Sequence, residues 1–278
     1  DMAEAYLWYS LAARQETLRL ELQERFANER DRLAATLDPG LLESVELRLA
    51  TWTPGFVAEH YRQLVNTKNC ARCVLKRGDF RHLSLSKVNL HGAELEWGNF
   101  RGVDMRGANL NGANLTHAHF SGANLRGANI ANANLYYANL YGTTYLYGAN
   151  LDHADMRKVR LMNADLTKAS LRNTDLRESH FGNTIFIEAN LTNANLERAS
   201  MPSADLRGAD LSNANLSDAD FSNANLEGAN LSGAKLNGTS FKKANLTKAT
   251  LTDAITEDAD FSDAKILNII GVDPRTLR

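Results

Sequence analysis

The sequence predicts an all-β solenoid, a four-sided parallel β-helix of about ten coils, preceded by an α-helical segment. Three observations predict it. From Leu75 to Ile266 nearly every fifth residue is apolar, and the residues between spell Ala-Asn-Leu-x-x or Ala-Asp-Leu-x-x, as in Gly107-Ala108-Asn109-Leu110-Asn111-Gly112-Ala113-Asn114-Leu115. Large residues recur at steps of 20: Phe80, Phe100 and Phe120, then Phe181, Met201, Phe221, Phe241 and Phe261. The two series join through Leu140 and Leu161, a step of 21.

A period of five fits neither a strand nor a helix, whose periods are about 2 and 3.6. An α-helix would scatter the leucines around its cylinder. A coil in which each pentapeptide forms one side turns all of them inward. The large residue (position i) and the small residue two before it (i−2, mostly Ala) then face the axis, and positions i−1, i+1 and i+2 face water. Twenty residues per turn means four pentapeptides and a square section, with one inner column filled largely by stacked phenyl rings. Offset stacking of such rings adds roughly 0.5–1.5 kcal/mol per pair beyond area burial. At about 4.8 Å per coil, about 39 pentapeptides make a rod on the order of 45 Å long.

The elements follow in chain order. Residues 1–69 lack the pentapeptide pattern and read as a helical segment that caps the solenoid. Leu7, Leu11, Leu18, Leu22, Phe26, Leu33 and Leu37 form one apolar stripe, which Asp38-Pro39-Gly40 ends. Further helices are expected over Leu41–Ala50 and Phe56–Leu64. The solenoid spans 70–267, with one extra residue near 142–145, in Gly142-Thr143-Thr144-Tyr145; such a bulge kinks a ladder or aims a binding surface. The apolar run Ile266–Val272 is expected to leave the repeat and fold over the last coil, and 268–278 to form a C-terminal cap. Asn recurs at i−1, where tight-turn dihedrals and stacked amide ladders account for it.

These residues resemble the pentapeptide-repeat family, whose consensus is A-(D/N)-L-x-x, over about 195 residues. The resemblance implies a right-handed quadrilateral β-helix. Most members have no known catalytic activity; a minority mimic a DNA duplex, bind DNA gyrase and relieve topoisomerase poisons. The stretch Ala3-Glu4-Ala5-Tyr6-Leu7-Trp8-Tyr9-Ser10-Leu11-Ala12-Ala13 resembles the closing half of a SEL-one-like helical repeat. With Asp1 in place of an initiator Met, it points to a fragment of a longer protein; a lone helical cap is the alternative.

Composition bounds the rest. A hydrophobic fraction of 44% and a net charge of −2 suit a soluble protein. No apolar run approaches the ~18 residues of a membrane span. Two cysteines argue against a disulfide-built secreted scaffold, so a cytoplasmic location is the default. Cys70 at i and Cys73 at i−2 both point inward and read as small buried side chains; a disulfide, or a metal assisted by His82 or His91, is the alternative. The repeat histidines fall on outward, solvated positions. No nucleophile elbow, phosphate loop or HExxH occurs, so catalysis, cofactor and metal are not expected.

The candidate surface is aromatic. Position i+2 on one side reads Arg77, Trp97, His117, Tyr137 and, beyond the insertion, Lys158; Tyr136 lies beside Tyr137, and Tyr141 and Tyr147 occupy outward positions of the next sides. Trp, Tyr and Arg mark interface hot spots. The plain alternative is that Trp97 packs under the N-terminal helices and the tyrosines cover their own coil. A second outer set is basic, with Arg81 and Arg101 on one side and Arg106 and Arg126 on another. Residues 75–147 carry 7 Lys/Arg against 4 Asp/Glu, and residues 148–278 carry 15 against 18, so the rod is mildly dipolar. Nucleic-acid binding would want a denser basic patch. DNA mimicry would want dense, regular negative charge, whereas the acidic stretches Asp205–Glu227 and Asp253–Asp263 are interrupted by Lys242, Lys243 and Lys248 or balanced elsewhere. The expectation is an interaction scaffold with a protein partner, with gyrase mimicry as the alternative and neither nucleic acid nor membrane as ligand. A homodimer through the terminal helical stripe is a further option.

Overall fold

The computed structural model describes residues 58–277, together with Arg32. The expected helices before residue 58 and the SEL-one-like stretch lie outside the described residues.

The first element is helix α1, Ala58–Thr67. It runs past Leu64, where the sequence reading ended it, because Lys68 takes a left-handed φ of 51° and returns its N–H to the Leu64 carbonyl at 2.9 Å. That is the usual helix C-terminal turn, built here without glycine. Tyr61 and Leu64 are buried, and the Tyr61 ring lies 6.5 Å from Phe80. So α1 covers the open end of the first coil, which would otherwise expose apolar side chains and strand edges.

From Asn69 onward the chain winds as a parallel β-helix. Bridges join nearly every i−1 residue to its counterpart 20 residues later, from Asn69↔Asn89 to Thr250↔Ile270. Across the insertion the spacing becomes 21, as in Asn124↔Tyr145 and Asn139↔Arg160, and then returns to 20. Four pentapeptides per turn thus follow from the bridge spacing as well as from the phenylalanines.

Each corner is a tight turn. The N–H of i+3 bonds to the carbonyl of i, as Ala93 does to Leu90 at 3.0 Å, and the residue at i+2 has a φ near +60°. A left-handed third residue marks a type II turn and favours Gly or Asn there. This corrects the reason given for Asn at i−1. That position is not the turn; its Oδ1 accepts the backbone N–H of i+1, as Asn134 does from Tyr136 at 3.0 Å. The amide also donates down the column, from Asn109 to Asn89 at 3.2 Å and from Asn215 to Asn195 at 3.1 Å.

The phenyl rings stack along one inner edge. Phe80–Phe100 and Phe100–Phe120 lie 4.5 and 4.8 Å apart; Phe221–Phe241 and Phe241–Phe261 lie 5.5 and 5.1 Å apart, and all are buried. At the insertion, buried Thr144 bonds the carbonyls of Phe120 and Leu140 at 3.1 and 2.9 Å. Its hydroxyl replaces the corner hydrogen bond that the extra residue displaces.

Two expectations change. Cys70 and Cys73 are buried, as their positions require, but they form a disulfide rather than two free thiols. Ile266–Val272 does not fold over the last coil but completes it: Leu251 bonds to Ile270 at 2.7 Å, and Leu267 and Ile270 stay exposed. A 3-10 turn, Pro274–Thr276, follows and buries Leu277.

Candidate functional site

The bridges from Val74↔Glu94 to Lys235↔Ile255 define one side of the rod, called here the Trp97 side. At its i+2 corner Trp97 and His117 stack at 4.0 Å with planes 10° apart, and His117 and Tyr137 stack at 5.4 Å and 12°. Lys158 continues the column, with its ammonium 5.5 Å from the Tyr137 ring, and it pairs with Glu178 at 3.4 Å. Tyr136 meets Tyr137 edge-on at 4.7 Å and carries the Arg157 guanidinium over its own ring at 5.2 Å.

Three features of this column matter chemically. Trp97 and Tyr137 are 49% and 46% exposed, so they do not serve to cover their own coil. His117 carries a ring on each face, and Tyr137 lies between His117 and the Lys158 ammonium, so these two offer solvent mainly edges, while Trp97 stacks on His117 through one face. Finally, Trp97, His117 and Tyr137 sit at φ of 60°, 59° and 57°. A side chain in this conformation costs ~1 kcal/mol or more over glycine, so folding alone would not select aromatic residues here.

The remaining candidates do not join this cluster. Arg101 and Tyr141 lie on the adjoining side, that of the phenylalanine column, and Arg106, Arg126 and Tyr147 lie on the side after it. Arg126 stacks over the ring of Tyr145 at 4.3 Å, a residue that sequence reasoning did not single out. Tyr141 and Tyr147 are exposed on their separate sides.

The basic set is not a free basic surface. Arg81 grips Asp79 and Arg106 grips Asp104 through both Nε and a terminal nitrogen, each with a 2.7 Å ion pair. The same clasp recurs at Asp155–Arg157, Asp175–Arg177, Asp205–Arg207 and Asp273–Arg275. Within the repeat the spacing explains it: Asp at i−1 and Arg at i+1 flank an inward residue and project from the same side; Asp273–Arg275 is instead the cap of the 3-10 turn. Hydrogen bonds from Arg106 hold the Asp104 carboxyl below its usual range, and those from Arg157 do the same for Asp155. Burial would raise Asp152, but Arg172 and Ser170 outweigh it and hold the carboxyl low. These clasps were legible as Asp-x-Arg triplets and were missed because charges were summed rather than paired.

His119 departs from the expectation that repeat histidines are solvated. It occupies the i−1 position where Asn99 and Asn139 cap the next turn, and its Nδ1 is buried with no hydrogen-bond partner. Burial, followed by the charges of Arg101 and His117, pushes its pKa down. Among the described residues no group of three or more His, Cys, Asp or Glu is placed to hold a metal ion, and no helix is long and apolar enough to cross a membrane.

Comparison with known proteins follows this geometry. The family model for pentapeptide repeats matches residues 69–107, 108–144 and 144–183, and that for a pentapeptide repeat region matches 174–251. HetL, a pentapeptide-repeat protein involved in heterocyst differentiation regulation in the cyanobacterium Nostoc, is 30% identical; the alignment covers 78% of this chain and 97% of HetL, with a TM-score of 0.35. A thylakoid-lumen pentapeptide-repeat protein of Arabidopsis thaliana is 31% identical over 46% of this chain and 71% of its own, with a TM-score of 0.30. Full-length QnrB1, a plasmid-mediated fluoroquinolone resistance protein, is 15% identical over 64% and 87%, with a TM-score of 0.37. No curated protein matches the chain. The chain belongs to the pentapeptide-repeat family, and its fold is that family's right-handed quadrilateral β-helix.

Proposed function

We propose that this pentapeptide-repeat protein is a non-enzymatic interaction scaffold whose rigid rod presents the Trp97 side to a protein partner. The observation that carries this reading is the exposed Trp97–His117–Tyr137 stack at three successive left-handed corners. Elsewhere on the rod such corners mostly hold Gly or Asn, which the turn prefers. Aromatic anchors framed by cations are the residues from which interfaces draw their binding energy.

The charge pattern weighs against DNA mimicry. A mimic needs carboxylates free to imitate phosphates, and here at least six are clasped by an arginine two residues on. A gyrase supercoiling assay with and without a fluoroquinolone separates the readings: the scaffold predicts neither inhibition nor protection at micromolar protein. The patch itself is tested by crosslinked capture with wild type and with Trp97→Ala/Tyr137→Ala as bait. Loss of specific partners in the variant is expected, and an unchanged set would overturn the assignment.

A further inference from the structure

The corner column of the Trp97 side runs beyond the aromatic stack through Lys158, Glu178, Arg198, Asp218 and Gly238 to Asp258, ten levels from Arg77 in steps set by the bridges. Nine of these ten corners carry a non-glycine residue with φ between 56° and 61°, so the choice of side chain overrides the turn's preference along the whole column. Read from both ends, the column is complementary to itself. We propose that this side is a homodimer interface, on which a second copy packs antiparallel about a two-fold axis crossing the side between Lys158 and Glu178. The proposal rests on the reading that the column is a docking surface and names its occupant.

The two-fold places level n of one copy against level n of the other counted from the opposite end. Arg77 then meets Asp258 of the second copy, and His117 meets Asp218. Tyr137 offers its phenol oxygen as acceptor to Arg198, and Lys158 meets Glu178. Trp97, the bulkiest residue of the column, falls opposite Gly238, the one corner with no side chain of its own; the Asp218 carboxylate lies 2.6 Å from where a Cβ would stand there and swings toward His117 to admit the indole. The existing ion pairs, Lys158–Glu178 at 3.4 Å and Arg198–Asp218 at 3.7 Å, are kept rather than broken: across the axis Lys158–Glu178 joins its symmetry mate in one alternating four-charge group, and Arg198–Asp218 lies against Tyr137 and His117.

The neighbouring outward columns agree. At i+1 the same operation sets Lys76 against Glu257, Tyr136 against Glu197 and Thr116 against Ser217. At i−1 it sets Val74 against Ile255 and Glu94 against Lys235. Arg157 faces Arg177 near the axis, but each is already clasped by its own aspartate at 2.6 Å. An isologous contact requires this: each pairing occurs twice, and the chain must match its own reverse. Nine steps of about 4.8 Å give a strip ~43 Å long and one side wide. That is a small interface, and micromolar association is the expectation.

The test is sedimentation equilibrium of the purified 278-residue chain, with charge reversals at one pairing. The wild type should dimerise with a micromolar Kd that rises with salt. Arg77→Asp and Asp258→Arg should each weaken dimerisation about tenfold or more, because each removes two symmetry-related pairs. The double variant Arg77→Asp/Asp258→Arg should restore it to within about threefold of wild type. Register is tested by oxidative crosslinking. Thr116→Cys/Ser217→Cys should give covalent dimers, whereas Thr116→Cys alone should not, since the two copies of that residue lie about five levels apart. A chain that stays monomeric to ~1 mM, a double variant that is not restored, or crosslinking by the single cysteine would each overturn the dimer. If the chain is monomeric but Trp97→Ala/Tyr137→Ala still loses a captured partner, the docking surface stands and only its occupant is wrong.

Discussion

Before the insertion, aromatic rings stack both inside and outside the rod; beyond it, the interior keeps its phenylalanines while the corners of the Trp97 side carry charges. Inside, the two regions are alike in kind: Phe80, Phe100 and Phe120 stack at 4.5–4.8 Å, and Phe221, Phe241 and Phe261 at 5.1–5.5 Å. Outside, Trp97, His117 and Tyr137 give way to Lys158, Glu178, Arg198 and Asp218. The interior must fill a fixed volume, so both regions solve it the same way. The corners carry no such demand, and on the proposed reading their contrast reflects association rather than folding.

The largest expected effect lies inside. Phe100→Ala and Phe241→Ala each remove a ring stacked on both faces, and each should cost about 3–5 kcal/mol in urea unfolding. The closer stacking around Phe100 predicts the larger loss, and equal losses would show that the two regions are packed alike. Next comes the insertion. Thr144→Val removes the one hydroxyl proton shared by the Phe120 and Leu140 carbonyls and leaves Leu140 without its corner donor, whereas Leu216 keeps the Ala219 N–H when Thr239→Val removes the hydroxyl bonded to it. The first should cost about 2 kcal/mol and the second about 1. The reverse order would mean that the hydroxyl is not what closes the widened corner.

A smaller effect, of opposite sign, is expected at His119. Its folded-state pKa is depressed, chiefly by burial, so folding disfavours the proton. Stability is then fully present above the unfolded histidine pKa of about 6.5 and declines as pH falls from there through the folded value. His119→Asn supplies the cap that Asn99 and Asn139 make, to Arg101 and Tyr141 respectively. It should stabilise the protein by about 0.5–1 kcal/mol at pH 7. It should also flatten the decline below pH 6.5, as measured by thermal unfolding across pH.

Much of this was legible in the sequence, because position in the repeat decides which way a residue points. The inner stack of Phe80, Phe100 and Phe120 and the outward Trp97, His117 and Tyr137 both follow from counting fives and twenties. The disulfide did not, because inward positions at i and i−2 suit free and bridged cysteines equally. The cap by Asn at i−1 was missed because it depends on where an amide oxygen meets a turn N–H, which periodicity does not encode. His119 was misjudged because i−1 is only half outward, and a ring there reaches into space that an amide leaves open. The self-complementary face was within reach of the sequence, which carries the column across the insertion to Lys158; it was missed because the column was not followed beyond Lys158 or compared with its own reverse.

The central claim is that the Trp97 column exists for association rather than for folding, and Trp97→Gly/Tyr137→Gly tests it most directly. Glycine relieves the strain of two left-handed corners, by ~1 kcal/mol each, while two stacks worth roughly as much are lost. Unfolding and sedimentation are measured on the same samples. The account predicts stability within about 1 kcal/mol of wild type together with loss of association. A loss of several kcal/mol in stability with association unchanged would make the column part of the scaffold's own architecture and contradict the account.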